Sequence, residues 1–287
     1  MLEARGEVIV AVAHQSSQMG MHAEQLAGRT QQRFFSAEES EKFVYPDSFE
    51  VDFNQRTEFD AEPLGAQEIN LKIRALMSQG YGTIVIKNPG AKHGIGVGIL
   101  NRLQLHIEGS LGYFGVGLID GPNVRIRGRV GWSCAENMMA GTVIVEKNAG
   151  STFGAAIRGG DLVCMGDVGA RVGIDMKGGT VIIGGRAGAF CGFMMQRGRM
   201  VILGDAGVNL GDSMYDGTIY VGGKIAGLGV DAVPAEMTPL DVAWLTRKLK
   251  MYGLSAPRGV ENMTKIVAGK QLWNYDNLEP AEKKIVL

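Results

Sequence analysis

The fold of this chain is decided by a repeat that is clearest in RGGDLVCMGDVGARVGIDMKGGTVIIGGRAG, residues 158–188. Within this segment, Gly160 and Leu162 return 19 residues later as Gly179 and Val181. The same interval continues in both directions, so the segment belongs to a long array. Arrays with repeats of this length are typical of solenoid proteins, in which each repeat packs only on its neighbours.

Glycine marks the repeat most clearly and accounts for 43 of the 287 residues, about twice its usual share in proteins. Two long series return every 19 residues: Gly112, Gly131, Gly150, Gly169, Gly188 and Gly207, and Gly141, Gly160, Gly179, Gly198 and Gly217. A third, shorter series runs from Gly154 to Gly211. A short coil has to bend sharply, and bends need a positive φ or a close approach of two backbones. We therefore expect these glycines at the bends.

Apolar residues follow the same interval in three columns. The columns are Val124, Val143, Leu162, Val181, Met200 and Ile219; Ile126, Val145, Cys164, Ile183, Ile202 and Val221; and Ile119, Met138, Ile157, Met176, Met195 and Met214. The first two columns lie two residues apart, as on the buried face of a half-buried β-strand. Strands that recur once per coil stack in parallel on the neighbouring coils, about 4.8 Å away.

This pattern predicts an all-β fold, a right-handed parallel β-helix with 19-residue coils, because crossovers between parallel strands are almost always right-handed. About six to seven coils span residues 103–230. The segment GTIVIKNPG (82–90) resembles an irregular first coil. A left-handed β-helix built from hexapeptides is the alternative, but it needs a sub-period of about six residues, which this sequence lacks.

The flanks of the repeat predict three regions. Residues 1–64 form an N-terminal extension, residues 65–233 the β-helix domain, and residues 234–287 a C-terminal helix and tail. The extension breaks the repeat and is acidic in part, which suits a segment that wraps the β-helix or docks on a partner.

Short capping helices are predicted at both ends of the β-helix. The segment AQEINLKIRALMS (66–78) places Ile69, Ile73, Leu76 and Met77 on one helical face. A second helix begins at the N-cap Thr238 and Pro239 and stops near Gly253, with inward residues Val242, Leu245 and Leu249. Such helices cover strand edges that would otherwise be open.

Composition and charge exclude several classes of protein. A net charge of −1 gives no reason to expect nucleic acid or a membrane as a partner. The apolar run at residues 8–13 follows acidic residues and is too short for a signal peptide or a membrane span. One basic stripe stands out, and it suits either an acidic partner or an ordinary solvated face: Arg125, Arg127 and Arg129. Sparse cysteines suit a reducing compartment, so we expect a cytoplasmic protein.

A search for catalytic, cofactor-binding or metal-binding residues predicts none in this chain. The four histidines lack the spacing of metal ligands: His14, His22, His93 and His106. The three cysteines are interpreted as small buried hydrophobes: Cys134, Cys164 and Cys191. The strings GIGVG (94–98) and GYFGVG (112–117) resemble phosphate loops. The first would bind an anion if its N–H groups converged, but turns are the preferred interpretation because glycine is so frequent.

Four residues are candidates for contact with a partner protein. Glu136 and Asn137 follow a predicted turn and suit hydrogen bonding at a surface, and Glu136 has no evident partner for acid catalysis. Trp273 and Tyr275 lie in the tail, where aromatic residues often anchor on a partner. Packing of these two rings back onto the β-helix is the alternative.

Several further segments carry a resemblance: GRVGWSCAENMMAGTVIVEKNAG (128–150), GDAGVNLGDSMYDGTIYVGG (204–223), IAGLGVDAV (225–233), NPGAKHGIGVG (88–98) and KIVAGKQLWNYD (265–276). Together with the repeat, they resemble the glycine-rich (GXGXG) β-helix of glutamate synthase and its stand-alone relatives. The likeness is greatest to the B subunit of N-methylglutamate synthase (methylamine–glutamate N-methyltransferase), an enzyme of methylamine metabolism. It covers about residues 65–276, and residues 1–64 depart from the family pattern.

The resemblance implies a structural subunit of an enzyme complex, a hetero-oligomer whose chemistry lies in other chains. One partner would resemble a class II glutamine amidotransferase. Another would resemble the synthase subunit that binds FMN and an iron–sulfur cluster. The β-helix would supply no catalytic residue and would hold the two partners in place.

Three other functions remain open. Similar β-helix subunits occur in formylmethanofuran dehydrogenase and in a formyltransferase–hydrolase complex, where the partner is a metal-dependent hydrolase. A split glutamate synthase is a further alternative. An independent β-helix that acts on polysaccharide would need clustered carboxylates or aromatic platforms on one outer face, which the outward positions do not show.

Overall fold

The computed structural model describes residues 49–269. Trp273 and Tyr275 lie outside the described residues, as does most of the extension predicted at 1–64. Within the described part, the chain forms a parallel β-helix of about seven turns with few helices. The predicted fold class is confirmed.

The described strands form one sheet in the order β1-β2-β3-β4-β5-β6-β7-β8-β9-β11-β10. Their bounds are β1 Asp52–Asp60, β2 Tyr81–Lys87, β3 Gln104–Glu108, β4 Asp120–Ile126, β5 Ala140–Val145, β6 Asp161–Cys164, β7 Lys177–Ile183, β8 Arg197–Ile202, β9 Thr218–Val221, β10 Ala232–Ala235 and β11 Thr264–Ala268. Strands β1–β9 pair in parallel, and β11 and β10 close the far edge with antiparallel pairing. The helices are α1 Ala66–Ser78, α2 Pro239–Met251 and the 3-10 turn Val260–Asn262. No helix in residues 49–269 is long and apolar enough to cross a membrane.

Successive coils are displaced by one sequence repeat. Leu105 pairs with Val124, and the step of 19 residues continues from strand to strand as far as Ile219. The step between β2 and β3 is longer, because Ile84 pairs with Leu105. A second side of the coil repeats the interval as a column of bridges: Leu111, Val130, Ala149, Val168, Ala187, Ala206 and Ile225. The predicted 19-residue coil and its irregular first turn are both observed.

All three predicted apolar columns are buried in one continuous core. The methionine-rich column from Ile119 to Met214 is inaccessible to solvent along its whole length. Cys134 and Cys191 are buried in a further column with Phe153. Burial of apolar surface is the main source of stability in such a fold, so the inward pattern fixes the pairing of every coil.

The outward side of the sheet differs from the sequence-based expectation. We predicted half-buried strands that alternate apolar and polar residues. This is wrong for β6–β8, where the outward residues Val163, Ile182 and Val201 are also buried. They form a second core with Leu245 and Leu249 of α2, which lies across this part of the sheet.

Polar contacts hold α2 on the sheet. Asp241 in its first turn accepts hydrogen bonds from Tyr220 of β9 at 2.6 Å and from Lys265 of β11 at 2.8 Å. Asp161 of β6 accepts one from Lys248, near the end of the helix, at 2.7 Å. Both ends of α2 are therefore fixed by carboxylates that are mostly shielded from water.

The ends of α2 follow the predicted capping signals. The Thr238 side chain accepts a hydrogen bond from the Asp241 N–H, and Pro239 occupies the first turn. Gly253, two residues after the helix, has a φ of 66°. Of the residues predicted to face inward, Leu245 is fully buried but Val242 is only half-buried.

The N-terminal end is capped by α1 and extended by a strand that the sequence did not reveal. Ile69, Ile73 and Met77 of α1 are buried against the core. Strand β1 lies before residue 65, where we placed the start of the β-helix domain, and it pairs with β2 in the same sheet. Its sequence, DFNQRTEFD, is mostly polar and carries no copy of the repeat, which explains why periodicity gave no signal.

Candidate functional site

One side of each coil consists of an unusual turn of five residues. Its first, third and fifth residues have a positive φ, a conformation that residues other than glycine and asparagine rarely adopt. We call it the alternating turn. In the described coils these positions are Gly94, Gly96 and Gly98; Phe114, Val116 and Leu118; Ser133, Ala135 and Asn137; Thr152, Gly154 and Ala156; Arg171, Gly173 and Asp175; Phe190, Gly192 and Met194; and Asn209, Gly211 and Ser213.

The N–H groups of the alternating turn bond to the coils on both sides. In the second coil, the N–H groups of Phe114 and Leu118 donate to carbonyls of the next coil at 2.8 Å. The N–H of Val116 donates to the Ile95 carbonyl of the preceding coil, also at 2.8 Å. In the string GIGVG (94–98), the first and fifth N–H groups likewise donate to the next coil. Because these N–H groups already bond to carbonyls of the next coil, the structure favours the interpretation of the string as a turn.

Among the described residues, no coil precedes the first alternating turn, and Asn70 of α1 takes the place of such a coil. Asn70 Oδ1 accepts a hydrogen bond from the Gly96 N–H at 2.7 Å, and Asn70 Nδ2 donates to the Gly94 carbonyl at 2.7 Å. Beside this contact, α1 and the first coil border an open cleft of about 380 Å³, lined in part by Leu71 and Val97. The sequence predicted the capping helix, but nothing in it indicated the role of Asn70.

Large apolar side chains are exposed where the alternating turns of the second and third coils face outward. Tyr113, Phe114, Leu118 and Trp132 are 41%, 53%, 50% and 57% exposed. The His93 ring stacks on Tyr113 with 4.6 Å between centroids, and Tyr113 stacks on Trp132 at 5.2 Å. We call these five residues the aromatic patch. The sequence pattern did not reveal it, although Phe114 and Leu118 in YFGVGL (113–118) occupy positions where the neighbouring coils have glycine, serine or asparagine.

Comparison with known proteins decides the family. A model of the GXGXG motif family matches residues 66–228, which is more than half of the chain. The chain belongs to the GXGXG motif family. The match begins at α1 and runs through the stacked coils, so it covers all seven alternating turns of the described structure.

The GXGXG chain is also similar to individual proteins. It is 38% identical over 60 residues to Protein GlxC from Rhizobium meliloti (strain 1021), which is 21% of this chain and about a quarter (26%) of that relative. Among solved structures, it is similar to a chain in the crystal structure of the formyltransferase/hydrolase complex (FhcABCD) from Methylorubrum extorquens in complex with methylofuran. The TM-score is 0.54 with 20% sequence identity, over 76% of this chain and 92% of that chain. This likeness shows a shared fold.

The repeat glycines of this GXGXG protein fall into two structural classes. The series from Gly141 to Gly217 has φ between 76° and 103°, a range that side chains disfavour. The series from Gly112 to Gly207 has ordinary φ but lies against the preceding coil. A methyl group on Gly150 would lie 2.8 Å from the Gly131 carbonyl carbon, too close for any other residue. The two classes match the two causes that we expected at bends.

The predicted partner contacts Glu136 and Asn137 lie together in the third alternating turn. Both are half-buried, and Asn137 is its fifth residue, with a φ of 53°. The Glu136 carbonyl accepts the hydrogen bond from the Leu118 N–H. The backbone of this turn therefore lies beside Leu118 of the aromatic patch, and the role of the two residues as an interface stays a prediction.

The three buried cysteines and His106 have pKa values that are shifted by burial. Burial raises the pKa of Cys134, and it raises the pKa of Cys164 and Cys191 to about 11, so these thiols stay protonated at neutral pH. His106 points outward from β3 and is half-buried, and burial together with nearby arginines lowers its pKa. No group of three or more potential metal ligands occurs within residues 49–269.

The basic stripe is a mixed surface in the structure. Arg125, Arg127 and Arg129 are all exposed, as predicted. Arg125 Nε bonds Glu146 Oε1 at 2.6 Å, and Glu108 lies on the neighbouring strand beside the stripe. Carboxylates are thus interspersed with Arg125 and Arg127, which favours the interpretation of this part of the stripe as a solvated face over a site for a strongly acidic partner.

Proposed function

We propose that this chain is a structural, non-catalytic subunit of a cytoplasmic glutamate-synthase-type complex that forms N-methylglutamate from methylamine and glutamate. In this complex it would hold a class II glutamine-amidotransferase-like subunit against a subunit that binds FMN and an iron–sulfur cluster. The observation that carries the proposal is the match of the GXGXG motif to residues 66–228. The segments that resemble the B subunit of N-methylglutamate synthase narrow it to this reaction.

The architecture supports a role in positioning. Every coil is hydrogen-bonded to its neighbours along the strands, the bridge column and the alternating turns. Two partners bound to such a body keep a constant separation, and small displacements of a reacting group are costly in rate. A transferred amine would then pass between sites without escape to solvent.

The structural relative supports membership of a larger assembly. It belongs to the formyltransferase/hydrolase complex (FhcABCD), and the chain covers 92% of its length. The match to GlxC spans only a quarter of that protein. For these reasons a subunit role is better supported than the particular substrate.

A second candidate is a subunit of a formyltransferase–hydrolase complex, or of a formylmethanofuran dehydrogenase. The specific observation in its favour is the common fold with a chain of the Methylorubrum complex. A split glutamate synthase is the third candidate. The three differ in the partner subunits and in the substrate, so one reconstitution separates them.

The test is co-expression of this chain with an amidotransferase-like and an FMN-binding subunit, followed by size-exclusion chromatography and a coupled assay of N-methylglutamate formation. We expect a stable complex, and we expect removal of this chain to uncouple glutamine hydrolysis or amine release from synthesis while flavin binding persists. The purified chain alone should bind no FMN, iron–sulfur cluster or metal, and should not turn over glutamine. Turnover by the chain alone, or full synthase activity without it, would contradict the proposal. Assembly only with hydrolase and formyltransferase subunits would favour the second candidate.

A further inference from the structure

The aromatic patch concentrates exposed apolar surface in one part of the molecule. Ten large apolar residues of the described chain are well exposed, and four of them belong to this patch. Single exposed apolar side chains are normal, whereas clusters mark interaction sites. Tryptophan and tyrosine are also the residues most enriched where binding energy concentrates.

The backbone beneath the patch is strained at positions where the neighbouring coils have smaller residues. Phe114 and Leu118 have φ values of 59° and 55°, and a bulky residue in this region costs about 1–2 kcal/mol. The first coil has glycine at both positions and the third has Ser133 and Asn137. A later coil also has bulky residues there, Phe190 and Met194, but both are half-buried. Residues that fold with less strain are thus available to this repeat, and the second coil carries exposed bulky apolar groups instead. Strain of this kind is often retained for function.

The rings of the patch are held rigidly by stacking. His93, Tyr113 and Trp132 form a ladder along the axis of the β-helix, and His93 Nδ1 also accepts a hydrogen bond from the Tyr113 N–H at 2.8 Å. Both faces of the Tyr113 ring are covered by its neighbours, so it cannot serve as a platform for a sugar ring. A rigid cluster that presents ring edges suits a protein surface, because little side-chain entropy is lost on binding.

The exposed charge around the patch is positive. Arg129 lies three residues before Trp132, and Arg102 lies against Gly121, three residues after Leu118. Both arginines are exposed, and neither forms an ion pair with a described residue. The acidic residues beside the patch, Asp120 and Glu136, are half-buried. A partner with an apolar centre and carboxylates at its rim is complementary to this arrangement.

We propose that the aromatic patch is the docking surface for a partner subunit, which covers it with an apolar segment flanked by carboxylates that face Arg102 and Arg129. This inference rests on the proposed function, since it names the surface by which this chain joins its complex. The patch lies on the alternating-turn side of the coil, away from the face that α2 covers.

The test uses substitutions that the chain itself offers. The double variant Phe114→Ser/Leu118→Asn installs the residues found one coil later, so it removes the apolar surface and relieves strain. We expect an unchanged or higher melting temperature, together with at least about tenfold weaker assembly with the partner subunits. Trp132→Ser, which installs the residue found at Ser151, should weaken assembly similarly. Binding is measured by interferometry and folding by circular dichroism.

The matched control is Phe190→Ser/Met194→Asn, which installs the same two residues at the same two positions of a later alternating turn. It should leave assembly within about twofold of wild type, since rim and surface changes away from a binding centre have small effects. Unchanged assembly of both patch variants would overturn the docking surface and leave the proposed function standing. If the wild-type chain itself does not assemble, the proposed function and this inference both fall. A homodimer of the isolated chain that the patch variants dissociate would assign the patch to a second copy instead.

Discussion

The outward side of the β-helix is open along β3 and β4 and covered along β6–β8. In the open part the central outward residues are His106 and Arg125, whereas in the covered part they are Val163, Ile182 and Val201. The inward columns do not change across this boundary. The interior therefore sets the period of the coil, and the outward residues are free to decide what each stretch of the surface contacts.

The apolar outward residues of β6–β8 need α2 to shield them from water, and α2 needs this contact to remain helical. A helix of 13 residues such as α2 is marginal on its own in water. Burial of each large apolar side chain in the second core contributes about 1.5–3 kcal/mol. The open part needs no such cover, because its charged side chains are solvated. Four predictions test the interior, which is the same in all coils, and the outward side, which is open in one part and covered by α2 in the other.

The largest effect is expected in the interior. Met176→Lys places a charge in a core position that is inaccessible to solvent, and we expect a loss of at least about 4 kcal/mol in the free energy of unfolding. Lys177→Met is the control, because Lys177 is half-exposed and only pairs with Asp175 at the surface. Urea melts measure both. Similar destabilisation by the two variants would contradict the 19-residue register.

The boundary between the two parts is tested by exchanging their outward residues. Ile182→Arg gives the covered part the side chain of Arg125, and we expect a loss of about 3 kcal/mol or more, with loss of helical signal as α2 detaches. The reciprocal Arg125→Ile removes a surface ion pair with Glu146 and should cost at most about 1 kcal/mol. Thermal melts followed by circular dichroism compare them. Equal stability of the two variants would mean that α2 does not cover the outward side of β6–β8.

The alternating turn is tested at Gly173. Its φ is 60°, and a methyl group there would lie 2.5 Å from Met200 Cε. Gly173→Val should cost about 2 kcal/mol, because a β-branched residue is strained at this φ. Ala170→Val, at a half-buried position of the same coil, should cost less than about 1 kcal/mol in the same urea melts. Two indistinguishable variants would mean that glycine is not required at this position.

The smallest effect concerns the carboxylate that fixes α2. Burial alone raises the pKa of Asp241, but hydrogen bonds from Lys265, Tyr220 and Thr238 outweigh it and hold the pKa below its usual value. A lowered pKa in the folded state stabilises the protein above the unfolded pKa of about 4, and this contribution is lost as the pH falls further. Asp241→Asn should therefore cost about 1–2 kcal/mol near pH 6.

The difference in the free energy of unfolding between wild type and Asp241→Asn should shrink as the pH falls below 4. Urea melts at several pH values measure this difference. Asp216→Asn serves as the control, because Asp216 is exposed. A difference that stays constant across this range would show that the carboxylate charge does not hold the helix.

Sequence alone predicted the interior well because the interior is periodic. Every residue of the three predicted columns is buried, and the strands pair at the predicted interval. The capping signals at Thr238 and Pro239 are local, so they too were visible. What repeats or acts locally can be read from one sequence, since no knowledge of distant contacts is needed.

The features that sequence did not reveal are those that break the repeat. Strand β1 carries no copy of it, and Asn70 acts on Gly96, 26 residues away, through a contact that only the folded chain defines. The surface on which α2 packs can be recognised in part from the sequence. The continuous apolar run VII (181–183) is typical of a strand buried on both faces. The aromatic patch was not visible, because the sequence does not show that the side chains of Phe114 and Leu118 are exposed in the folded coil.

The repeating ladder of coils has a consequence for distance. Each coil advances the axis by one strand spacing, about 4.8 Å, so the length of the molecule changes only in whole steps. Insertion of one complete repeat between β4 and β5 would move β6–β9, together with α2, away from the first coils by one such step. The distance between two points on the surface of the β-helix is therefore set by the number of coils between them.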